Sequence, residues 1–131
     1  MKALDTNILV RLLVADDQAQ ARRVRDAFEE LERTGERFMI TSPVLLELIW
    51  VLSAVYDFSR EEVTRAIELL SEMPVLEFQN YDHVLDLTRL GNSTKADLSD
   101  ILIGLAGRSC GCEGTLTFGK RLTSTGLFER L

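Results

Sequence analysis

Phe38-Met39-Ile40-Thr41-Ser42-Pro43-Val44-Leu45-Leu46-Glu47-Leu48-Ile49-Trp50-Val51-Leu52 packs a strand, a helix start and an apolar helix into one short stretch. Phe38–Thr41 alternates as a strand does. Ser42-Pro43 reads as an N-cap followed by proline at the first helical position, where its missing N–H costs nothing. From Pro43 to Val55 the helix is apolar almost all round, with Leu46 and Trp50 on the face away from Val44, Leu48 and Val55. Such a helix is expected to be buried on two sides. One charge interrupts it, Glu47, the only charged residue from Phe38 to Tyr56.

The same grammar repeats outward in both directions. Lys2–Leu4 is a predicted strand followed by a short helix, Asn7–Val14. Asp16–Thr34 is an amphipathic helix with Val24, Phe28 and Leu31 on one stripe, ended by Gly35. Arg22, Arg23 and Arg25 read as its solvated face. Ser59 with Glu62 forms a capping box for a helix reaching Glu72. Pro74–Phe78 is a third strand, Asp82–Leu90 and Asp97–Ser109 are helices, and Gly114–Phe118 is a fourth strand. Strands separated by helices imply right-handed βαβ units and an α/β fold built on a parallel sheet. The sole histidine, His83, is expected on a helix surface.

The bulk numbers suit one domain spanning 1–131. The chain has 131 residues, 46% hydrophobic and 27% charged, enough for a core of its own. There is no linker, repeat or low-complexity tract. Met1 leads directly into structure, so no signal peptide is expected, and no apolar run approaches membrane-spanning length. Cys110 and Cys112 are too close for a structural staple and too few for zinc. They read as half-buried thiols in a reducing cytoplasm.

Carboxylates recur singly in apolar surroundings. Asp5 is the only charge between Lys2 and Arg11, and Asp100 stands alone between Asp97 and Arg108. Such sites, with no cationic neighbour in sequence, suggest a bound Mg²⁺ or Mn²⁺, since buried carboxylates need compensation. Asp97 and Asp100, at i and i+3, share a helix face, and ligands in open parallel sheets gather beyond the carboxyl strand ends. Asp5, Glu47, Asp97 and Asp100 are therefore expected to converge on one acidic cleft. Simpler roles exist: Asp5 as a cap for the first helix, Asp97 and Asp100 as a cap with its reciprocal acid. Net charge is −6, which argues against grip on nucleic acid by general basicity. Removing these four of the negative charges leaves −2, so a nucleic-acid substrate stays open.

Other phosphate chemistries fit less well. A haloacid-dehalogenase-like phosphatase wants a second Asp where Asn7 stands. A receiver domain wants an Asp at the end of the third strand, which reads Leu76-Glu77-Phe78. A dinucleotide site wants a glycine-rich first turn.

Taken together, Leu4-Asp5-Thr6-Asn7, Glu47 in an apolar helix after Thr-Ser-Pro, Asp97-Leu-Ser-Asp100-Ile-Leu-Ile, and Thr117-Phe118 near the end resemble the PIN-domain ribonucleases, especially VapC-type toxins. The resemblance covers essentially the whole chain, in order. It implies a three-layer α/β/α sandwich around a central, mainly parallel sheet. It implies a metal-dependent endoribonuclease, the toxin of a toxin–antitoxin pair, leaving 5′-phosphate products. Asp5, Glu47 and Asp100 would be the metal-binding acids, Asp97 a further catalytic acid, and Asn7 and Thr117 substrate contacts. The partners implied are RNA, a small antitoxin and a second copy in a homodimer, with no membrane, in the cytoplasm. One position departs from the pattern. Gly119 stands where the family carries a fourth acid, so weaker metal binding and attenuated cleavage are expected. The alternative from another class is a catalytically lapsed PIN module that binds RNA or protein.

Overall fold

A computed structural model describes the whole chain, Met1–Leu131. In chain order the elements are β1 (Lys2–Ala3), α1 (Thr6–Leu13), α2 (Gln18–Thr34), β2 (Phe38–Ile40), α3 (Ser42–Ala54), α4 (Arg60–Ser71) and β3 (Leu76–Phe78). Then follow α5 (Tyr81–Ser93), α6 (Leu98–Ser109), β4 (Thr115–Thr117), a 3-10 helix (Lys120–Thr125) and β5 (Phe128–Arg130). The chain divides into two compact units, Met1–Tyr81 and Asp82–Leu131.

In the first unit the strands are parallel and ordered β1-β2-β3, with Lys2 opposite Phe38 and Phe38 opposite Leu76. Parallel neighbours need crossovers, and helices α1–α2 and α3–α4 supply them. Each helix has a local reason to start or stop. Asp17 accepts from Gln20 N–H at 3.0 Å to open α2, and Gly35 ends it at φ 74°. Ser59 and Glu62 form the expected reciprocal capping box of α4, at 3.1 and 3.0 Å. The core is aliphatic: Leu9 and Val10 of α1, Leu48 and Leu52 of α3, and Val63, Ile67 and Leu70 of α4 are fully enclosed. Each such side chain stabilises the fold by about 2 kcal/mol relative to exposure. Phe28 of α2 meets Phe38 of β2 with ring centroids 5.2 Å apart. Arg11 ties the end of α1 to Asp16 at 2.9 Å and to Gln20 at 2.6 Å, while Tyr56 donates to Asp16 at 2.9 Å.

In the second unit β4 and β5 are also parallel, Thr115 opposite Phe128. Helix α6 packs directly on them because two of its residues have no side chain. A Cβ on Gly104 would lie 2.8 Å from Leu127 Cβ and from a Phe128 ring carbon. One on Gly107 would lie 2.7 Å from the Thr115 hydroxyl. Only glycine permits that approach. Since α6 leads into β4 through a short turn, its start and the carboxyl end of β4 share one end of this unit.

The α/β class and the parallel strands agree with the sequence reading, and most boundaries shift by a residue or two. Four expectations fail. Helix α3 starts one residue early, with Thr41 at the N-cap making no side-chain cap bond. The free Ser42 N–H is instead taken by the Gln79 side chain at 2.8 Å. That helix is also buried on one side only: Leu45, Leu48, Ile49 and Leu52 point inward, whereas Trp50 and Val55 are each 61% exposed. His83 is buried, not on the surface, because it falls on the same α5 stripe as Leu87 and Leu90. Its Nε2 meets Ser109 Oγ at 2.6 Å and its Nδ1 has no partner. Two elements went unseen in the sequence, the 3-10 helix and β5. Both thiols, expected half-buried, are exposed and free.

Candidate active site

Two of the candidate acids, Asp5 and Glu47, lie in the first unit. Asp5 follows β1 at the carboxyl edge of the sheet, where an extended backbone (φ −80°, ψ 156°) makes it the N-cap of α1. Its carboxylate accepts from Thr6 N–H at 2.9 Å, so the capping role is real, and it fixes the side chain at that edge. Asn7 is exposed in the first turn that follows. Gln79 and Asn80 close the carboxyl end of β3. Gln79 N–H donates to Ile40 at 2.9 Å and Asn80 donates to the Ser42 hydroxyl at 3.2 Å. Glu47 lies in the second turn of α3, on the outward face that also carries Trp50.

The other two, Asp97 and Asp100, lie in the second unit. Asp97 occupies the N-cap of α6 with an extended backbone (φ −62°, ψ 139°), yet its side chain makes no cap bond. Asp100 sits in the first turn, half-buried. The cap-with-reciprocal-acid role is therefore not taken up. Burial, and next the Asp97 charge, push the Asp100 carboxyl above the ordinary aspartate value. Thr117 ends β4, and its hydroxyl accepts from Gly119 N–H at 3.0 Å.

The premise of burial needs correcting. Asp5, Glu47 and Asp97 are exposed, because each lies at a strand or helix end or on an outward helix face; Asp100 alone is partly buried. None of the four belongs to an ion pair. No group of three or more acidic, histidine or cysteine side chains stands ready to hold a metal ion. What fits a hard divalent cation is the chemistry of the donors, carboxylate oxygens without a cationic partner.

Gly119 is not demanded by the backbone. It has φ −76°, at the N-cap of the 3-10 helix, and an added Cβ would meet Leu122 and Thr117 at an ordinary 3.4 Å. An aspartate fits there without strain and is itself a favoured N-cap residue.

The raised Asp100 carboxyl has a consequence for stability. The folded state binds this proton more tightly than the unfolded chain, so the associated stability is full at low pH. It is lost as pH rises through the folded-state value. In EDTA, Asp100→Asn should therefore melt above wild type at pH 7. The gap should close below the ordinary aspartate range. Thermal melts across pH check this, and an unchanged or lower melting temperature at pH 7 contradicts it.

Comparison with known proteins agrees with the fold. The sequence profile of the PIN domain matches residues 2–126. A VapC ribonuclease of Aquifex aeolicus (strain VF5) is 23% identical over 126 residues, covering 96% of this chain and 93% of the relative. Helices alternating with parallel strands are what the α/β/α PIN fold requires, and the matched span includes the positions of the acids discussed above. The chain belongs to the PIN domain family.

Proposed function

We propose that this protein is a metal-dependent endoribonuclease, the toxin of a toxin–antitoxin pair, acting in the cytoplasm as a single domain. The observation that carries the reading is a set of carboxylates with no ion pair, on a chain that matches the PIN family nearly end to end. The VapC relative supports ribonuclease chemistry. Asp5, Glu47 and Asp100 are the proposed ligands of Mg²⁺ or Mn²⁺. A bound divalent ion supplies Lewis-acid activation of water and phosphate. Asp97, whose carboxylate is free of a cap bond, orients the attacking water, and Asn7 and Thr117 contact the substrate. Water adds to phosphorus, the bond to the 3′ oxygen breaks, and a 5′-phosphate and a 3′-hydroxyl result.

Gly119 favours a second reading, a lapsed module that binds RNA or protein without cutting it. Cleavage of a mixed RNA pool separates the two. The enzyme reading expects weak cleavage that EDTA stops and Asp5→Asn abolishes, and a gain in rate from Gly119→Asp. Absence of cleavage with any divalent ion, in both wild type and Gly119→Asp, supports the lapsed module. Equal rates in the two proteins mean that the missing acid is compensated.

The homodimer proposal rests on Trp50 of α3, Val55 at its C-cap and Leu69 of α4, all exposed in the single chain. Leu46 is half-buried, whereas Ile67 and Leu70 of α4 are covered by this chain and contribute nothing to that surface. A small antitoxin remains the second proposed protein partner. Light scattering at micromolar concentration should give a dimer that Trp50→Glu dissociates. A monomer unaffected by that substitution contradicts the dimer.

A further inference from the structure

We infer that Cys110 and Cys112 are a redox-active dithiol, a site that exchanges with low-molecular-weight disulfides and closes into an intramolecular bridge. It goes beyond the nuclease reading and uses none of its residues. The motif Cys110-Gly111-Cys112 lies at the turn from α6 into β4 and has no part in the proposed cleavage. Both thiols are free, and all three residues are exposed. Exposure matters because attack on a disulfide sulfur needs access for the incoming molecule.

The backbone brings the two cysteines into range of each other. Helix α6 ends in a Schellman turn, in which Cys112 N–H donates to the Gly107 carbonyl at 3.2 Å and Gly111 N–H to the Arg108 carbonyl at 2.9 Å. Gly111 takes the left-handed conformation that this turn requires, at φ 83°, which a side chain would resist. Helical curvature of either hand sets residues two apart about 5.4 Å from Cα to Cα. Disulfides most often span about 5.5–6 Å. Cys110 and Cys112 therefore flank the one residue that turns the chain by the amount a bridge needs.

Zinc does not explain the pair. Structural zinc takes four ligands, and no third histidine, cysteine or acidic side chain is grouped with these two. A permanent staple does not explain it either, because a closed loop this short constrains the unfolded chain little. An exposed bridge is also the readily reduced kind. Reversible chemistry is what the arrangement suits.

The steps balance with oxidised glutathione as the small disulfide. One cysteine thiolate attacks a glutathione sulfur. A bond from protein to glutathione forms, the glutathione S–S bond breaks, and one glutathione leaves. The second thiolate attacks the cysteine sulfur of that mixed disulfide, forming the Cys110–Cys112 bond and releasing the other glutathione. Two electrons pass from the protein to the oxidant, and the two thiol protons end on the released thiols. Excess reduced thiol runs the sequence backwards.

The test incubates the full-length protein in EDTA with micromolar reduced glutathione and rising oxidised glutathione. Remaining thiols are then alkylated and the intact chain is weighed. Wild type should lose both thiols together, retain no glutathione and migrate as a single chain on a non-reducing denaturing gel. Dithiothreitol should restore both thiols. Cys110→Ser and Cys112→Ser, whose folding is checked by melting curves, should each retain one glutathionyl group instead. Half-conversion of wild type should need at least tenfold less oxidised glutathione than either variant, because its second step is intramolecular. Glutathione held on both cysteines of wild type, a bridge to a second chain, or thiols still free at the highest oxidant level would each overturn the assignment. A wild-type midpoint equal to that of the single variants overturns it as well.

Discussion

Parallel pairing is the constraint from which most else in this protein follows. Two neighbouring strands that run the same way cannot be joined by a hairpin, so every connection in β1-β2-β3 must be long enough to return, and helices fill it. Their carboxyl ends then share one edge, with the chain leaving each strand there. Backbone groups at that edge need partners, and polar side chains are selected to supply them. Asp5 caps α1, Gln79 takes the Ser42 N–H, and Asn80 reaches the Ser42 hydroxyl. A fold built this way gathers polar side chains at one rim, where ligands of open α/β sheets bind.

Much of this was legible because it is local. Alternating strand and helix patterns, Gly35 as a stop and Ser59 with Glu62 as a capping box depend on neighbouring residues only, and the structure keeps them. What was not legible depended on distant residues. The 3-10 helix and β5 form where Phe128 pairs with Thr115 and α6 presses close through Gly104, none of which a local pattern reveals. Helix α3 misled for a different reason. An apolar residue on an outward face looks the same in sequence as one in the core, so Trp50 and Val55 read as buried. His83 could have been placed correctly, since its spacing to Leu87 and Leu90 marks the inner stripe of α5.

The isolated acids were found by the right sign and the wrong burial. Their separation from other charges in sequence survives as an absence of ion pairs in space, but three of them face solvent. Asp100 is the exception. Half-buried beside Asp97, its charge is unfavourable to the folded state, although the N-terminal N–H groups of α6 partly offset this. Gly119 points the other way. Nothing in its backbone or its surroundings requires glycine, so the fold itself leaves room for an acid there.

The central claim is that these carboxylates serve a divalent cation, and metal-dependent melting tests it most directly. Any ligand that binds the folded chain alone raises its melting temperature with concentration. The account predicts that Mn²⁺ raises the melting temperature of the EDTA-treated protein by several degrees. It also predicts that Asp5→Asn and Asp100→Asn each abolish the rise. A melting temperature that ignores Mn²⁺ at every concentration, or that climbs equally in wild type and both variants, would contradict it.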